Sequence, residues 1–405
     1  MKHMKFSAFP RMAPIAAIAL LLITATGCRK DLYQLKTVTC TAETPMNTAH
    51  PMKDSLQRII DKYVQLGIPG VQVTVKNADG WYFASGGYAS LEDQTPFRPC
   101  TPGWLFSLTK TYTAALVMKS VEQGLIRLDQ PIGPMLPAEY AGYINGQEKI
   151  TVRMLLNHSS GIINMTELPE FHVDQLNHPL QQPSVAGLMR LLRGKPLLFE
   201  PGSDFSYSNA NFLVLQVILE KVRSKSYEQL LREDILQPLS LEQTYYAPGE
   251  EMAASLGFPS YYFDRFANAQ LENITRWNNK LGAACYGYGG IAASAADAIR
   301  FYEALFTGKV ISPASLQEMR TWVKGKNSEQ PDYGLGLEYY QYHQGTDPQY
   351  GHEGDGIGCT TQMFYSPASN TYMYINCNAG RQLFGPYLFK TTDMKNELCR
   401  YVAGQ

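Results

Sequence analysis

A serine and a lysine lie three residues apart where a long apolar stretch begins. In "WLFSLTKTYTAALVMKSV", Ser107 precedes Lys110, and mostly apolar residues follow. Residues i and i+3 share one face of a helix, so the two side chains are expected side by side in its first turn. A lysine in apolar surroundings has a lowered pKa and can take the proton of a serine hydroxyl. The spacing is therefore typical of a nucleophile with its general base.

The start of a helix adds to this chemistry and also leaves an alternative open. Backbone amides and the helix dipole favour negative charge there, which stabilises an attacking alkoxide and the oxyanion that follows. The alternative is structural: a serine that caps the helix beside a lysine that extends its ammonium to solvent. The spacing alone does not decide between the two.

The composition predicts a large globular body around this pair. The chain has 405 residues, of which 45% are hydrophobic and 18% charged, and its net charge is -1. These values exclude a disordered chain and a nucleic-acid-binding protein. We expect an enzymatic domain with no nucleic-acid partner, and the oligomeric state stays open.

The N-terminus is expected to be a targeting segment. Basic residues precede an apolar run at positions 13–23, which is about half the ~20 residues that a membrane span needs. The run ends in "LLITATGC", which resembles the lipobox of bacterial lipoproteins. The resemblance implies a signal peptide at 1–27, lipidation of Cys28 and a flexible tether over 28–52. The alternative is an ordinary signal peptide that is cut near Ala25 or Gly27.

An exported lipoprotein would be periplasmic or anchored to the outer membrane, and it would touch the membrane through its lipid only. In that compartment disulfides can form. Six cysteines remain after Cys28, and none forms a C-x-x-C pair, so no zinc site is expected. These six are Cys40, Cys100, Cys285, Cys359, Cys377 and Cys399.

One disulfide can be predicted from strand register. If "CTTQMFY" and "TYMYINC" form a hairpin around a five-residue loop at 366–370, Tyr365 pairs with Thr371. Cys359 then lies opposite Cys377, with Cα atoms ~4.5 to 5.5 Å apart, and a disulfide can span that distance. The alternative is two small buried hydrophobic residues, because a slip of one residue breaks the pairing.

The order of strand-like and helix-like segments indicates the fold class. Two β-rich runs flank Asp79 and Gly80, which is a strong hairpin signal, and strand-like runs return after residue 333. The segments between them have mostly helical periodicity. We predict an α/β fold of the α+β type, with an antiparallel sheet built from both ends of the chain. Flanking helices and a mainly helical lobe at about 118–285 complete a domain at 53–403.

Two further short motifs give the Ser-Lys pair its context. "YSN" at 207–209 and "HEG" at 352–354 follow "SLTK" in the order and spacing of the three motifs of the penicillin-binding serine hydrolases. That family includes class C β-lactamases and D-alanyl-D-alanine carboxypeptidases. Surrounding stretches such as "FEPGSDFSYSN" and "YGHEGDGIG" also resemble the family, over residues 68–402. The chain is identified as a member, which implies a β-lactamase/transpeptidase-like fold.

The resemblance implies a role for each motif residue. Ser107 would form an acyl-enzyme, while Lys110 and the Tyr207 phenol relay its proton to the leaving group. Asn209 would bind the substrate amide or the Lys110 ammonium. The amides of Ser107 and Asp355 would form the oxyanion hole, and neither a metal nor a cofactor is needed. Structural alternatives stay open, since Tyr207 could be a core aromatic residue.

The third motif departs from the family pattern. The family usually places Lys-Thr-Gly or His-Thr-Gly here to hold a substrate carboxylate, whereas this chain has His352, Glu353, Gly354 and Asp355 as expected substrate-binding residues. Two carboxylates would repel an anionic substrate, by about 4 kcal/mol for charges ~4 Å apart at an effective dielectric near 20. A nearby cation, or a Glu353 that points away along the strand, would defeat this argument. His352 could also be a satisfied structural histidine.

The expected activity is hydrolysis of a neutral or amine-bearing ester or amide, as in the esterase and D-aminopeptidase branches of that family. Two alternatives remain: a D-alanyl-D-alanine carboxypeptidase or class C-like β-lactamase, and an inactive member that only binds cell-wall peptides. The expected partner is thus a small molecule or a cell-wall-derived peptide. An α/β-hydrolase would need G-x-S-x-G, which this sequence lacks.

Overall fold

Strands from both ends of the chain form one antiparallel sheet. The computed structural model describes residues 44–329, 333–342, 348–380, 387 and 389–404. Its largest sheet has the order β2-β1-β11-β10-β9-β8, and a small sheet has the order β3-β7-β4. The strands are β1 Gly70–Asn77, β2 Gly80–Gly87, β3 Gly103–Trp104, β4 Thr244–Tyr246, β5 Tyr262–Phe263, β6 Glu272–Asn273, β7 Ile291–Ala293, β8 Glu338–Tyr340, β9 Gln349–Asp355, β10 Thr360–Ser366 and β11 Thr371–Cys377.

The centre of the large sheet joins the two chain ends directly. Strand β1 pairs with β11, so that Val73 lies opposite Ile375, and β1 continues into β2 through a two-residue turn before Gly80. Every residue of β11 is buried, because helices cover both faces of the sheet. The predicted α/β fold, with its sheet built from N- and C-terminal segments, is confirmed.

Helices cover the two faces of the sheet unequally. The helices are α1 Lys53–Gln65, α2 Thr109–Glu122, α3 Val152–Leu156, α4 Pro169–Asn177, α5 Val185–Arg190, α6 Asn209–Arg223, α7 Tyr227–Leu231, α8 Glu250–Ser255, α9 Thr275–Ala283, α10 Tyr286–Gly289, α11 Ala295–Phe306, α12 Pro313–Met319 and α13 Lys390–Ala403. One face packs against α1 and α13, and the opposite face packs against α11 and the helical lobe, which contains most of the buried residues.

Helix α2 runs through the interior and is buried on all sides over most of its length. Its hydroxyl side chains tolerate this because they bond within the fold: Thr113 Oγ1 donates to the Gly287 carbonyl at 2.6 Å, and Ser120 Oγ donates to the Leu116 carbonyl at 2.9 Å. A residue in the first turn of α2 is therefore placed in the core rather than at the surface. Lys110 is such a residue.

The register of the last hairpin differs from the expected one by a single residue. Ser366 pairs with Thr371 around a four-residue loop, so Thr360 rather than Cys359 lies opposite Cys377. A one-residue slip turns a side chain to the other face of a sheet. Cys359 accordingly packs with the helical lobe and Cys377 packs with α1 and α13, and both thiols are free. The predicted disulfide between them is wrong.

Residues 44–52 belong to the body and not to a flexible tether, which differs from the expectation for 28–52. The buried His50 ring stacks on Tyr82, and its Nε2 lies 3.0 Å from Asn77 Oδ1. The expected signal peptide, Cys28 and Cys40 lie outside the described residues, whereas Cys100 is disulfide-bonded. Among the described residues, no helix combines the length and hydrophobicity needed to cross a bilayer.

Candidate active site

Ser107 lies in a tight turn between strand β3 and helix α2. Residues Phe106–Leu108 form one turn of 3-10 helix, so Ser107 precedes the α-helix. The spacing had predicted that it lies within the first turn of that helix. Phe106 has a φ of 45°, which is unusual for a bulky residue and is found where surrounding packing enforces it. A Cβ on Gly356 would lie 2.2 Å from the Phe106 ring, so only glycine fits there.

Three oxygen atoms surround the buried amine of Lys110. Its Nζ lies 2.8 Å from Ser107 Oγ, 2.7 Å from Asn209 Oδ1 and 2.8 Å from the backbone carbonyl of Tyr288. No carboxylate is among these hydrogen-bond partners, so the cost of burying the charged amine is only partly offset. Burial lowers the pKa of Lys110 to about 7. Near neutral pH the amine can therefore accept a proton.

Tyr207 is held beside this pair by a buried histidine. The His158 carbonyl accepts from the Ser206 amide at 3.0 Å, and His158 Nδ1 accepts from the Ser208 amide at 3.2 Å. These bonds fix both sides of Tyr207, whose ring centre lies 4.9 Å from Lys110 Nζ. Burial raises the pKa of the Tyr207 phenol well above its usual value, so the phenol keeps its proton.

Asn209 begins helix α6, and both ends of its side-chain amide have protein partners. Its Oδ1 accepts from Lys110, its Nδ2 donates to Thr166 Oγ1 at 2.9 Å, and its backbone amide donates to Asn164 Oδ1 at 3.2 Å. The structure thus shows the contact with Lys110 that was one of the two expected for Asn209. The same contacts orient the lysine.

The carboxylates of the third motif point away from the serine. Side chains alternate between faces along β9, so His352 lies on the face of Tyr207 whereas Glu353 and Asp355 lie on the face of α13. Lys395 of α13, with a side chain 4% exposed, lies 2.7 Å from Glu353 and 3.6 Å from Asp355. Glu353 is therefore not placed to contact a substrate at Ser107, which corrects the expectation that its carboxylate repels anionic substrates there.

His352 does not present a positive charge to the site. Burial, followed by the nearby Lys110, lowers the pKa of its imidazole to about 3. Its Nδ1 donates to the Glu353 carbonyl at 2.6 Å, and the Tyr333 hydroxyl donates to its Nε2 at 2.6 Å. Both ring nitrogens are thus used within the protein, and the neutral ring supports strand β9 beside Tyr207.

Gly354 brings strand β9 into contact with the serine turn. A Cβ at this position would lie 2.0 Å from the Leu105 carbonyl and 3.0 Å from the Ser107 amide nitrogen. The Gly356 amide donates to the Cys359 carbonyl at 2.8 Å, so the two-residue period of the antiparallel ladder turns the Asp355 amide away from β10. Ser107 and Asp355 both line the same cavity.

A cavity of about 140 Å³ lies against the serine. Its wall includes Ser107, Asn209, Thr166, Asp355 and Gly356, together with the rings of Phe106 and Phe171. The wall residues include no lysine, arginine or histidine. Within the part of the chain that the structure describes, no group of three or more His, Cys, Asp or Glu side chains is arranged to hold a metal ion.

Several groups that support the site could not be found from the motifs. The Tyr288 carbonyl contacts Lys110, and the Tyr333 hydroxyl contacts His352. A backbone carbonyl cannot be recognised from a sequence motif, because every residue has one. Glu338 of β8 lies 3.6 Å from His352 Nδ1 and accepts from the Glu353 amide at 2.8 Å. Burial raises the pKa of Glu338 to about 7. Neither Glu338 nor Lys395 belongs to one of the three motifs.

Comparisons with known proteins agree with this geometry. A family model described as Beta-lactamase matches residues 56–385. A penicillin-binding protein of Bacillus subtilis (strain 168) is 25% identical over 318 residues, which are 76% of this chain and 67% of that protein. Protein flp of Staphylococcus aureus (strain MW2) is 29% identical over 195 residues, which are 47% of this chain and 38% of that protein.

Among solved structures, a D-stereospecific amidohydrolase from Streptomyces sp. matches with a TM-score of 0.71 and 26% identity, covering 81% of this chain and 94% of that one. The family model spans most of the domain and contains all three motifs. The serine, lysine, tyrosine and histidine of these motifs lie together: Lys110 contacts Ser107 and the Tyr207 ring, and Tyr207 lies beside His352. The chain therefore belongs to the beta-lactamase family of penicillin-binding serine hydrolases.

Proposed function

We propose that this serine hydrolase cleaves a neutral or amine-bearing ester or amide through an acyl-enzyme on Ser107. The observation that carries the proposal is the position of the Lys110 amine among Ser107 Oγ, Asn209 Oδ1 and the Tyr288 carbonyl. A neutral amine has two hydrogens and one lone pair. Two of the three neighbours are carbonyl oxygens that can only accept, so the lone pair is directed at the serine hydroxyl.

In the acylation step, Ser107 Oγ bonds to the substrate carbonyl carbon while its proton passes to Lys110 Nζ. The carbonyl oxygen becomes an oxyanion, to which the backbone amides of Ser107 and Asp355 donate. The Tyr207 phenol, which is protonated before the reaction, gives its proton to the leaving group as the carbonyl–leaving group bond breaks and takes the proton from Lys110 in return. Water then attacks the acyl-enzyme, activated by the same groups in reverse.

The proposed preference for neutral or amine-bearing substrates rests on the lack of a cation in the cavity wall beside Ser107, and not on repulsion by the carboxylates of the third motif. The cavity wall beside Ser107 has no cationic side chain to hold a carboxylate, and His352 is neutral at physiological pH. The similarity to a D-stereospecific amidohydrolase supports the amide part of the proposal.

A D-alanyl-D-alanine carboxypeptidase or class C-like β-lactamase is the second candidate. The relative described as a penicillin-binding protein favours it, because it matches 76% of this chain. An inactive peptide-binding member is disfavoured by the intact Ser107, Lys110 and Tyr207 arrangement. A substrate panel separates these cases: a neutral short-chain ester, a D-aminoacyl amide, a D-Ala-D-Ala peptide and a nitrocefin-type β-lactam.

The decisive experiment is mass spectrometry of a trapped acyl-enzyme formed with an activated ester. We expect one acyl group on the peptide that contains Ser107, and none in Ser107→Ala. Lys110→Ala and Tyr207→Phe should each reduce turnover by about 10²- to 10⁴-fold, since each removes one proton-transfer group. Acylation at another residue, or wild-type turnover in Ser107→Ala, contradicts the proposal. Asn145→Ala, in a Y-x-N triplet whose amide bonds to Lys195, is a control.

A further inference from the structure

A second cavity opens from the one that contains Ser107. It has a volume of about 690 Å³, and it shares four wall residues with the smaller cavity, namely Phe171, Leu281, Asp355 and Gly356. A molecule whose carbonyl lies at Ser107 can therefore extend into it without leaving the protein surface. Ligand sites commonly have volumes of about 300 to 1,000 Å³, so this space is large enough for much more than a short acyl group.

The wall of this large cavity is mostly apolar. Phe263, Trp277 and Ile357 contribute to it in addition to the shared Phe171 and Leu281. The carboxylate of Asp264 is engaged by the fold, because it accepts from the backbone amides of residues 268 and 269 at 3.0 and 2.9 Å. The cavity thus favours an uncharged group.

The rim of the cavity exposes large apolar side chains. Leu176 of α4 is 61% exposed, and Phe266, in the loop after β5, is 68% exposed. Arg265 and His172 also line the cavity, and the guanidinium of Arg265 lies 5.6 Å from the centre of the Phe266 ring, so that this charge is stacked against an aromatic face. Large apolar side chains exposed beside a cavity are typical of a binding site.

We propose that this large cavity receives a bulky uncharged group of the substrate, either an alkyl chain of several carbons or an aromatic system. The group is attached on the acyl side or the leaving side of the bond that Ser107 cleaves. This inference rests on the proposed function and names its substrate class: apolar esters or amides rather than small polar ones.

Burial of apolar surface gives the expected size of the effect. Each methylene removed from water contributes about 0.8 kcal/mol, which corresponds to about a fourfold increase in kcat/KM per carbon. Two substrate series test this with the full domain. One series lengthens the acyl chain of p-nitrophenyl esters from two to eight carbons, and the other lengthens the alcohol of alkyl acetates over the same range, all below their micellar concentrations.

Two variants at the rim sharpen the test. Phe266→Ala and Leu176→Ala remove apolar surface at exposed positions, so the fold should tolerate both changes. We expect Phe266→Ala to reduce the ratio of eight-carbon to two-carbon kcat/KM by about tenfold, since an aromatic ring buries a large area on binding. The matched control is Phe389→Ala, because Phe389 is also 68% exposed but does not line the cavity.

The outcomes separate this inference from the proposed function. If kcat/KM is independent of length in both series while the two-carbon ester is cleaved and Ser107 is labelled, the inference is wrong and the proposed function stands. If the ratio falls equally in Phe266→Ala and Phe389→Ala, the cavity is not the binding site and the inference is also wrong. If no ester is cleaved and Ser107 stays unlabelled, the proposed function itself fails.

Discussion

Raising the pH from 6 to 8 is expected to increase kcat/KM about tenfold, after which a plateau follows. The neutral amine of Lys110 is the reactive form, and its pKa is lowered to about 7 because the side chain is buried. The neutral fraction is then about one eleventh at pH 6 and about ten elevenths at pH 8. An ordinary lysine with a pKa near ~10.4 would instead give about a hundredfold rise over this range and no plateau.

The assay is hydrolysis of p-nitrophenyl acetate between pH 5.5 and 9.5, with the rate of Ser107→Ala subtracted at each pH. A logarithmic plot should bend near pH 7. A straight rise of tenfold per pH unit through pH 9 would refute the assignment of Lys110 as a base with a lowered pKa. Precipitation or unfolding is excluded by circular dichroism at each pH.

A second change tests whether the bend belongs to Lys110. When its carboxyl is ionised, which happens around its own raised pKa of about 7, Glu338 raises the pKa of Lys110 because it stabilises the ammonium form. Glu338→Gln removes that charge, so the bend should move to lower pH. Glu200→Gln is the matched control, since the Glu200 side chain is 80% exposed and should leave the profile unchanged. A bend that stays in place in Glu338→Gln would show that another group sets it.

Three further changes have distinct expected outcomes. Gly354→Ala should abolish acylation of Ser107, because the added Cβ would lie 2.0 Å from the Leu105 carbonyl. Labelling of Ser107 with an activity-based probe measures acylation, and a variant that is still labelled contradicts this prediction. Glu353→Thr should leave the preference among the panel substrates unchanged but lower the free energy of unfolding by about 1 to 3 kcal/mol in urea titrations, since buried Lys395 loses a partner. Cys28→Ser should release the protein from membranes in cell fractionation if Cys28 carries the proposed lipid, and an unchanged membrane fraction would argue against that anchor.

The sequence predicted the parts of the site that depend on residue type and order. Ser107, Lys110, Tyr207 and His352 each belong to a short motif, and the helical and strand-like segments around them indicated the sheet. The sequence could not predict the face of the sheet to which a side chain points, or the register in which two strands pair. Alternation along β9 was known, but whether Glu353 faces the serine or α13 is set by the packing of the whole sheet.

Register and long-range pairing account for the remaining errors. The loop before β11 has four residues instead of five, and this single difference sends Cys359 and Cys377 to opposite faces. Lys395 lies about forty positions beyond Glu353 on another helix, so no local pattern connects the two. Burial of Lys110, by contrast, was one of the two interpretations of the apolar stretch, and the structure shows it.

The pairing of β1 with β11 also determines when the enzyme can become active. Val73 and Ile375 are neighbours in the sheet although they lie roughly 300 positions apart in the chain. During synthesis, β1 and β2 are made long before β11, so one edge of β1 has no partner strand until almost the whole chain is made. Contacts of such long range form slowly. Strand β9, which carries the Asp355 amide, joins β1 only through β10 and β11, so catalytic activity should appear only after the last strand has been inserted.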